Sequence, residues 1–246
     1  MAQQKKLMLG NAAVARGLYE ASCEFVSSYP GTPSTEITEF ASTYDEIYAE
    51  WAPNEKVALE AAFGASLAGV RAFTGMKHVG LNVAADPLFT MSYTGVNGGL
   101  VIGVADDMGM HSSQNEQDSR RYAIAAKVPM LEPSDSGECK DFVAAAFEIS
   151  ENFDTPVLLR TSTRVAHAQS AVNLCERACI AAKPYAKSPQ KYVMMPANAR
   201  GRHVFVEERT IKLAEFAETS PLNTIVRGSL RLGIVSAGVA CTYAKE

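Results

Sequence analysis

Residues 99–105, GLVIGVA, make an unbroken apolar run that opens after a glycine pair and stops at Asp106–Asp107. A strand with one wet face alternates apolar and polar residues, so a continuous run of this length suits a strand covered on both faces. Covering both faces takes helices above and below, and that requirement points to a layered α/β chain.

The neighbouring segments repeat the theme. Small and apolar residues at helical spacing over 7–22 precede a strand at Glu24–Tyr29, and Pro30-Gly31-Thr32-Pro33 forms a loop. Ser34 is placed to cap a helix from Thr35 to Tyr44, and Asn54 to cap one that follows the strand Ile47–Trp51 and reaches Gly69. Further strands are expected at Arg71–Thr74, Met130–Glu132 and Pro156–Arg160, with helices over 78–93, 118–127 and 136–152. This alternation predicts an α/β fold with a mostly parallel, doubly wound sheet over residues 1–180. The stretch 181–203 is rich in Pro, Lys, Arg and Asn, so residues 181–228 read as a linker carrying a helix near 206–218. Residues 229–246 hold a strand at Leu232–Ser236, a turn at Gly238 and a helical start, the truncated opening of a following α/β domain.

Composition narrows the partners. A net charge of −4 on 246 residues gives no reason to expect nucleic acid or an anionic membrane surface. No uninterrupted apolar run approaches the roughly 18 residues that span a bilayer, and no leader opens the chain, so a cytoplasmic protein is expected. The five cysteines are scattered; only Cys175 and Cys179 are close, with no Cys or His nearby to complete a metal or cluster pattern. They read as structural or idle thiols. No metal ligand is assigned.

In open α/β sheets ligands sit outside the carboxyl ends of the strands. That rule selects Tyr29–Thr35, Trp51–Glu55, Gly75–Asp86 and Asp106–Arg121. In the first, Gly31 permits close backbone approach, Thr32 offers a hydroxyl and Pro30 stiffens the turn; a rigid turn with a helix cap explains the same residues. Glu55 falls in the first turn of its helix, where a carboxylate is favoured electrostatically whatever else it does. Along that helix Ala58, Ala61, Ala62, Ala65, Ala68 and Gly69 form a face of small residues that lets another backbone approach, as at a subunit or domain contact. Most residues of 108–121 carry hydrogen-bonding side chains, the mark of a binding loop or of a solvated one. There His111 alone is a weak signal, and Arg120 and Arg121 could clamp a carboxylate or face water. Neither G-x-G-x-x-G, a P-loop nor G-x-S-x-G occurs where it would count.

YPGTPSTEI (29–37), NEKVALEAAFGASLAGVRA (54–72), MKHVGLNVAADPL (76–88), YTGVNGGLVIGVADD (93–107), MHSSQNEQDSR (110–120) and FDTPVLLRTSTRV (153–165) together resemble the α subunit of indolepyruvate:ferredoxin oxidoreductases. So do YVMMPANARGRH (192–203) and LGIVSAGVACTYAKE (232–246). The wider 2-oxoacid:ferredoxin oxidoreductase family shares the first loop and the acid-led helix. The resemblance implies a thiamine-diphosphate-binding fold of the pyrimidine type, in an oxidoreductase that decarboxylates aryl pyruvates with coenzyme A and reduces ferredoxin. It implies that Glu55 hydrogen bonds the cofactor's aminopyrimidine ring, and that Thr32, with Pro30 and Gly31, lines the cofactor. Thr32, Arg120 and His111 would meet the 2-oxoacid, Arg120 at its carboxylate. The family's pyrophosphate-and-magnesium motif and its cysteine clusters are absent from this sequence. Mg and [4Fe-4S] clusters are therefore expected elsewhere, on a pyrophosphate-binding domain, a second α subunit or a β subunit, and the chain is expected to be an inactive fragment by itself. Met108-Gly109 replaces an expected Asp-Pro. Two other readings stay open: a non-catalytic assembly module of the same fold, and a split pyruvate- or 2-oxoglutarate-type component.

Overall fold

The computed structural model describes residues 4–229 and 231–246. Its strands and helices in chain order begin with β1 (Lys5–Leu9), α1 (Gly10–Glu20), β2 (Cys23–Ser28), α2 (Thr35–Ala41), β3 (Tyr48–Trp51) and α3 (Glu55–Ala68). The middle of the chain contributes β4 (Arg71–Lys77), α4 (His78–Val83), α5 (Ala85–Thr94), β5 (Leu100–Asp106), α6 (Arg120–Ala126), β6 (Met130–Leu131) and α7 (Ser136–Phe153). Then come β7 (Val157–Ser162), α8 (Thr163–His167), β8 (Gln169–Asn173), α9 (Pro189–Tyr192), α10 (Pro196–Thr219) and α11 (Ala240–Lys245).

Six strands form one parallel sheet in the order β3-β2-β4-β5-β7-β6. β4 and β5 are buried along their whole length, as the apolar run at 99–105 requires. Residues alternate between two cores. On one face Phe73 and Val101 pack with Val14 and Leu18 of α1 and Val143 and Phe147 of α7. On the other, Met76 and Ile102 pack with Leu59 and Ala62 of α3 and Leu88 and Met91 of α5. Ala58 and Ala62 are fully buried where α3 lies on β2 and β4, whereas Ala68 is exposed. Part of the small-residue face thus serves the close approach of this helix to its own sheet.

Local chemistry sets the helix ends. The Asn54 side chain accepts from the Val57 amide at 3.0 Å, and Gly69 closes α3 in the left-handed region at φ 108°. Asp135 caps α7 in the same way, accepting from the Glu138 amide at 2.9 Å.

Several boundaries differ from the sequence reading. The helix expected over 7–22 begins only at Gly10, because residues 5–9 form β1 and pair antiparallel with β8. The expected helix 78–93 is two helices that meet at Ala84. Ser34 stands at the start of α2 without a side-chain cap; its hydroxyl donates to the Gly31 carbonyl at 2.8 Å. α2 itself has only seven residues, which weakens the positive pole expected there. The linker is helical from Pro196, and α10 runs 24 residues instead of starting near 206. Residues 232–236 form no strand, although the helix after Gly238 does form.

α10 is fastened by charge as well as by contact. Arg209, almost fully buried, donates to the Asp154 and Lys127 carbonyls and to Ser92 Oγ at 2.8, 3.3 and 3.0 Å. Burial lowers its pKa to about 10. Arg202 and Lys191 reach the Asp154 carboxylate at 2.9 and 2.8 Å.

Candidate cofactor site at the carboxyl rim

Strand order reverses between β2 and β4: the chain steps outward from β2 to β3, and α3 carries it back over β2 to β4. Such switch points leave a crevice at the carboxyl ends. Here the loop after β2, the start of α3 and the β4–α4 junction share that rim.

Glu55 is 9% exposed, and among the described residues its carboxylate makes no hydrogen bond or ion pair. It packs on Gly80 of α4. A methyl group at position 80 would fall 2.5 Å from Oε1 and 2.8 Å from Cδ, so only a glycine leaves room for the acid in this pose. Its neighbour Lys56 turns outward to Asp86 at 2.8 Å.

Gly31 meets the same junction three residues earlier. A methyl group there would lie 3.1 Å from Lys77 Cβ. The loop around it is closed on itself, with the Gly31 amide donating to Thr35 Oγ1 at 2.9 Å and Thr32–Pro33 in the cis form. Pro30 and Thr32 are exposed at its tip.

The polar loop after β5 is organised by two buried aspartates. Asp106 receives Arg160 Nε at 2.8 Å, the Ser119 amide at 3.1 Å and the Ser119 hydroxyl. Asp107 accepts from Ser113 Oγ at 2.6 Å, the Ser112 and His111 amides at 2.8 and 3.2 Å, and Thr163 Oγ1 at 3.0 Å. Burial would raise its pKa, but these donors outweigh burial and hold the carboxyl well below the usual carboxylate range. Lys77 Nζ stands 3.9 Å from Asp107 Oδ2.

The residues expected at the site separate into groups. Glu55 and Gly31 converge on the β4–α4 junction. His111 is exposed, with its backbone tied to Asp107. Arg120 is half exposed and forks onto Asp118, with Nε and Nη2 at 2.8 and 3.0 Å from the two carboxylate oxygens. That pairing raises the arginine pKa and lowers that of Asp118. To hold a substrate carboxylate, Arg120 would have to exchange this partner. Sequence reasoning missed Lys77, His78 and Gly80; the distinctive segment 76–88 marked their neighbourhood without separating their roles.

A cavity of about 450 Å³ between α5 and residues 194–199, lined by Phe89, Tyr93 and Met194, includes none of these residues. Among the described residues no cluster of three or more His, Cys, Asp or Glu is placed to hold a metal ion. No helix among them is long and apolar enough to cross a membrane. Burial pushes the Cys23 thiol up to about 12 and raises that of Cys139, so both are unreactive packing residues.

Residues 16–220 match the family described as pyruvate flavodoxin/ferredoxin oxidoreductase, thiamine diphosphate-binding. The chain belongs to that family. Within it, the chain is 43% identical to the indolepyruvate oxidoreductase subunit IorA of Archaeoglobus fulgidus, over 99% of this chain and 40% of that protein. It is 46% identical to IorA of Pyrococcus horikoshii over 99% of this chain and 39% of that protein. The 2-oxoglutarate synthase subunit KorA of Methanothermobacter thermautotrophicus is more distant, at 29% identity over 68% of this chain and 47% of that protein. A solved 2-oxoglutarate:ferredoxin oxidoreductase from Magnetococcus marinus, with 2-oxoglutarate, coenzyme A and succinyl-CoA bound, superposes with a TM-score of 0.72. At 19% identity over 87% of this chain and 46% of that one, it is a match of fold. The chain spans about two fifths of the length of the IorA relatives. The mostly parallel α/β fold expected from the sequence is the fold of this family.

Proposed function

We propose that the chain supplies the pyrimidine-holding half of a thiamine-diphosphate site, in an oxidoreductase that converts aryl pyruvates, indolepyruvate above all, to acyl-CoA and CO₂. The electrons released reduce ferredoxin. One observation carries the reading: Glu55 is a largely buried acid whose carboxylate has no hydrogen bond or ion pair among the described residues, at the rim where the sheet order reverses. A carboxylate so placed, with its oxygens open at the rim, is available to accept from a ligand ring bearing an N–H. The aminopyrimidine of thiamine carries a ring N–H in its protonated and imino forms, so the residue fits the group.

When bound, thiamine diphosphate supplies the nucleophilic carbon that lets a 2-oxoacid lose CO₂. Glu55 would accept the ring's hydrogen bond and hold a proton at that nitrogen, favouring the imino tautomer. Gly31 and Pro30 would give the ring a rigid wall, and Thr32 a hydroxyl facing cofactor and substrate. His111 and Arg120, on the polar loop, would contact the 2-oxoacid once Arg120 leaves Asp118. Preference for indolepyruvate rests on the similarity to IorA proteins over nearly the whole chain. A pyrophosphate-binding domain or second α subunit, Mg, [4Fe-4S] clusters and a β subunit complete the proposed assembly, in the cytoplasm.

The test is Glu55→Gln in the assembled enzyme containing this chain. Indolepyruvate-dependent reduction of ferredoxin should vanish, and the 246-residue chain alone should reduce no acceptor. Undiminished turnover by the variant would make the chain a docking module. Faster turnover of pyruvate or 2-oxoglutarate than of any aryl pyruvate would move the substrate to those branches.

A further inference from the structure

Lys77 and His78 close β4 and open α4, and the roles proposed above leave both unused. Lys77 Nζ donates to the Ser112 carbonyl at 2.9 Å and to Ser112 Oγ at 3.2 Å. His78 Nδ1 accepts from the Asp107 amide at 3.4 Å, which leaves Nε2 to donate to the Asn115 carbonyl at 3.2 Å. Both side chains are buried, at 8% and 1% exposure.

The loop they grip is otherwise held by polar contacts alone, from Asp107 to residues 111–113 and from the Gly109 amide to Glu116 Oε2 at 2.7 Å. Residues 108–112 and 114–116 are exposed, so apolar packing contributes almost nothing to the loop's shape. Gly109 and Met110 both have positive φ, 84° and 54°, and for methionine that conformation is unfavourable unless its surroundings impose it. Asp107 and Lys77 together hold the middle of the loop at residues 111–113, and His78 holds its far side at Asn115. The same short junction meets Gly31 through Lys77 Cβ and Glu55 through Gly80. One rigid corner therefore touches the two elements proposed to hold the cofactor and the loop proposed to meet the substrate.

We propose that Lys77 and His78 are positioning residues that latch the 107–116 loop at a fixed height over the Gly31–Glu55 rim, and so set the affinity for the 2-oxoacid. The role rests on the thiamine reading above. It requires neither side chain to touch substrate; both act through the backbone of Ser112 and Asn115. Arginine at 77 keeps the donors and the charge, whereas methionine keeps the length and loses both.

Two measurements on Lys77→Met, Lys77→Arg and His78→Ala test the latch. Amide exchange of the 246-residue chain should be faster by about tenfold or more at 108–116 in Lys77→Met and His78→Ala, with the sheet unchanged. In the assembled enzyme, the same two variants should raise KM for indolepyruvate about tenfold while kcat and thiamine-diphosphate affinity stay within about threefold. Lys77→Arg should restore both readouts. Unchanged exchange and KM in Lys77→Met would overturn the latch and leave the Glu55 reading standing. Equal loss of cofactor and substrate affinity, or no rescue by arginine, would reduce Lys77 to a fold-supporting lysine and likewise overturn it. Full turnover in Glu55→Gln would instead remove the thiamine reading, with the exchange result still reporting on the latch.

Discussion

Gly80 of α4 lies against the carboxylate of Glu55, with so little space that a methyl group at 80 would stand 2.5 Å from Oε1. The contact runs along the Glu55 side chain from Cγ, at 2.6 Å, to Oε1, and involves no backbone atom. An alanine at 80 would therefore push the acid aside without tearing the fold.

Gly80→Ala is accordingly expected to separate function from stability. Thiamine-diphosphate affinity, followed by titration of the assembled enzyme, should fall about tenfold or more, because a displaced acid loses a charge-assisted hydrogen bond. The thermal midpoint should move by no more than about 4 °C, the effect of ~1 kcal/mol. Cofactor affinity equal to that of the parent would show that the Glu55 pose is irrelevant to binding.

Asp107→Asn should destabilise the chain at neutral pH. Asparagine offers one acceptor oxygen where five donor groups converge on the two of Asp107, leaving buried donors unmet at a cost of about 2 kcal/mol. The pH dependence has a definite sign. The folded-state pKa of Asp107 lies below its unfolded value, so its contribution is complete above the unfolded pKa and fades as pH falls toward the folded one. Denaturant unfolding of parent and variant should show a constant gap above about pH 5 that narrows below about pH 4. A gap that persists unchanged into strong acid would contradict this account.

Arg209→Met tests the fastening of α10. Removing the guanidinium frees the Asp154 and Lys127 carbonyls and Ser92 Oγ from their donor. A loss of about 2–4 kcal/mol in chemical denaturation is expected, since buried acceptors lose a charged partner. Protease cutting within 196–219 should accelerate in parallel. Cutting at the parental rate would show that α10 is held in place without Arg209.

Gly103→Ala probes the crowded centre of the sheet. Its new methyl would meet Phe73 Cζ at 2.5 Å, and overpacking of this kind costs about 1–3 kcal/mol. Phe73→Leu in the same chain should recover part of the loss. If the double variant is no more stable than the sum of the two single changes allows, the clash is not the cause.

What could be read from the sequence followed the range of the forces involved. The strand at 100–106 announced itself because burial on both faces leaves a continuous apolar run. β1 went unseen because KKLML has no pattern of its own; its partner lies at least 160 residues away, at Gln169–Asn173. Pro196 was taken for a linker residue although it opens α10, where proline loses nothing because the first-turn amides are unpaired anyway. Leu232–Ser236 has strand composition, but a strand exists only with a ladder partner, and the described residues supply none. Glu55 stood out by motif and by its place in the first turn of a helix. Its lack of a partner, the fit of Gly80 and the occupation of Arg120 by Asp118 are facts of three-dimensional proximity, which spacing along the chain does not encode.

The β1–β8 ladder pairs Lys5 with Asn173 and Leu9 with Gln169, so β1 finds its partner only after the whole six-stranded sheet has been made. During synthesis residues 5–9 must wait, unpaired, until the segment after β7 has left the ribosome. Contacts this distant in sequence make closure of the chain a late and slow event. A nascent chain halted before residue 169 would present an unpaired edge to its neighbours, while one released beyond 173 could seal itself.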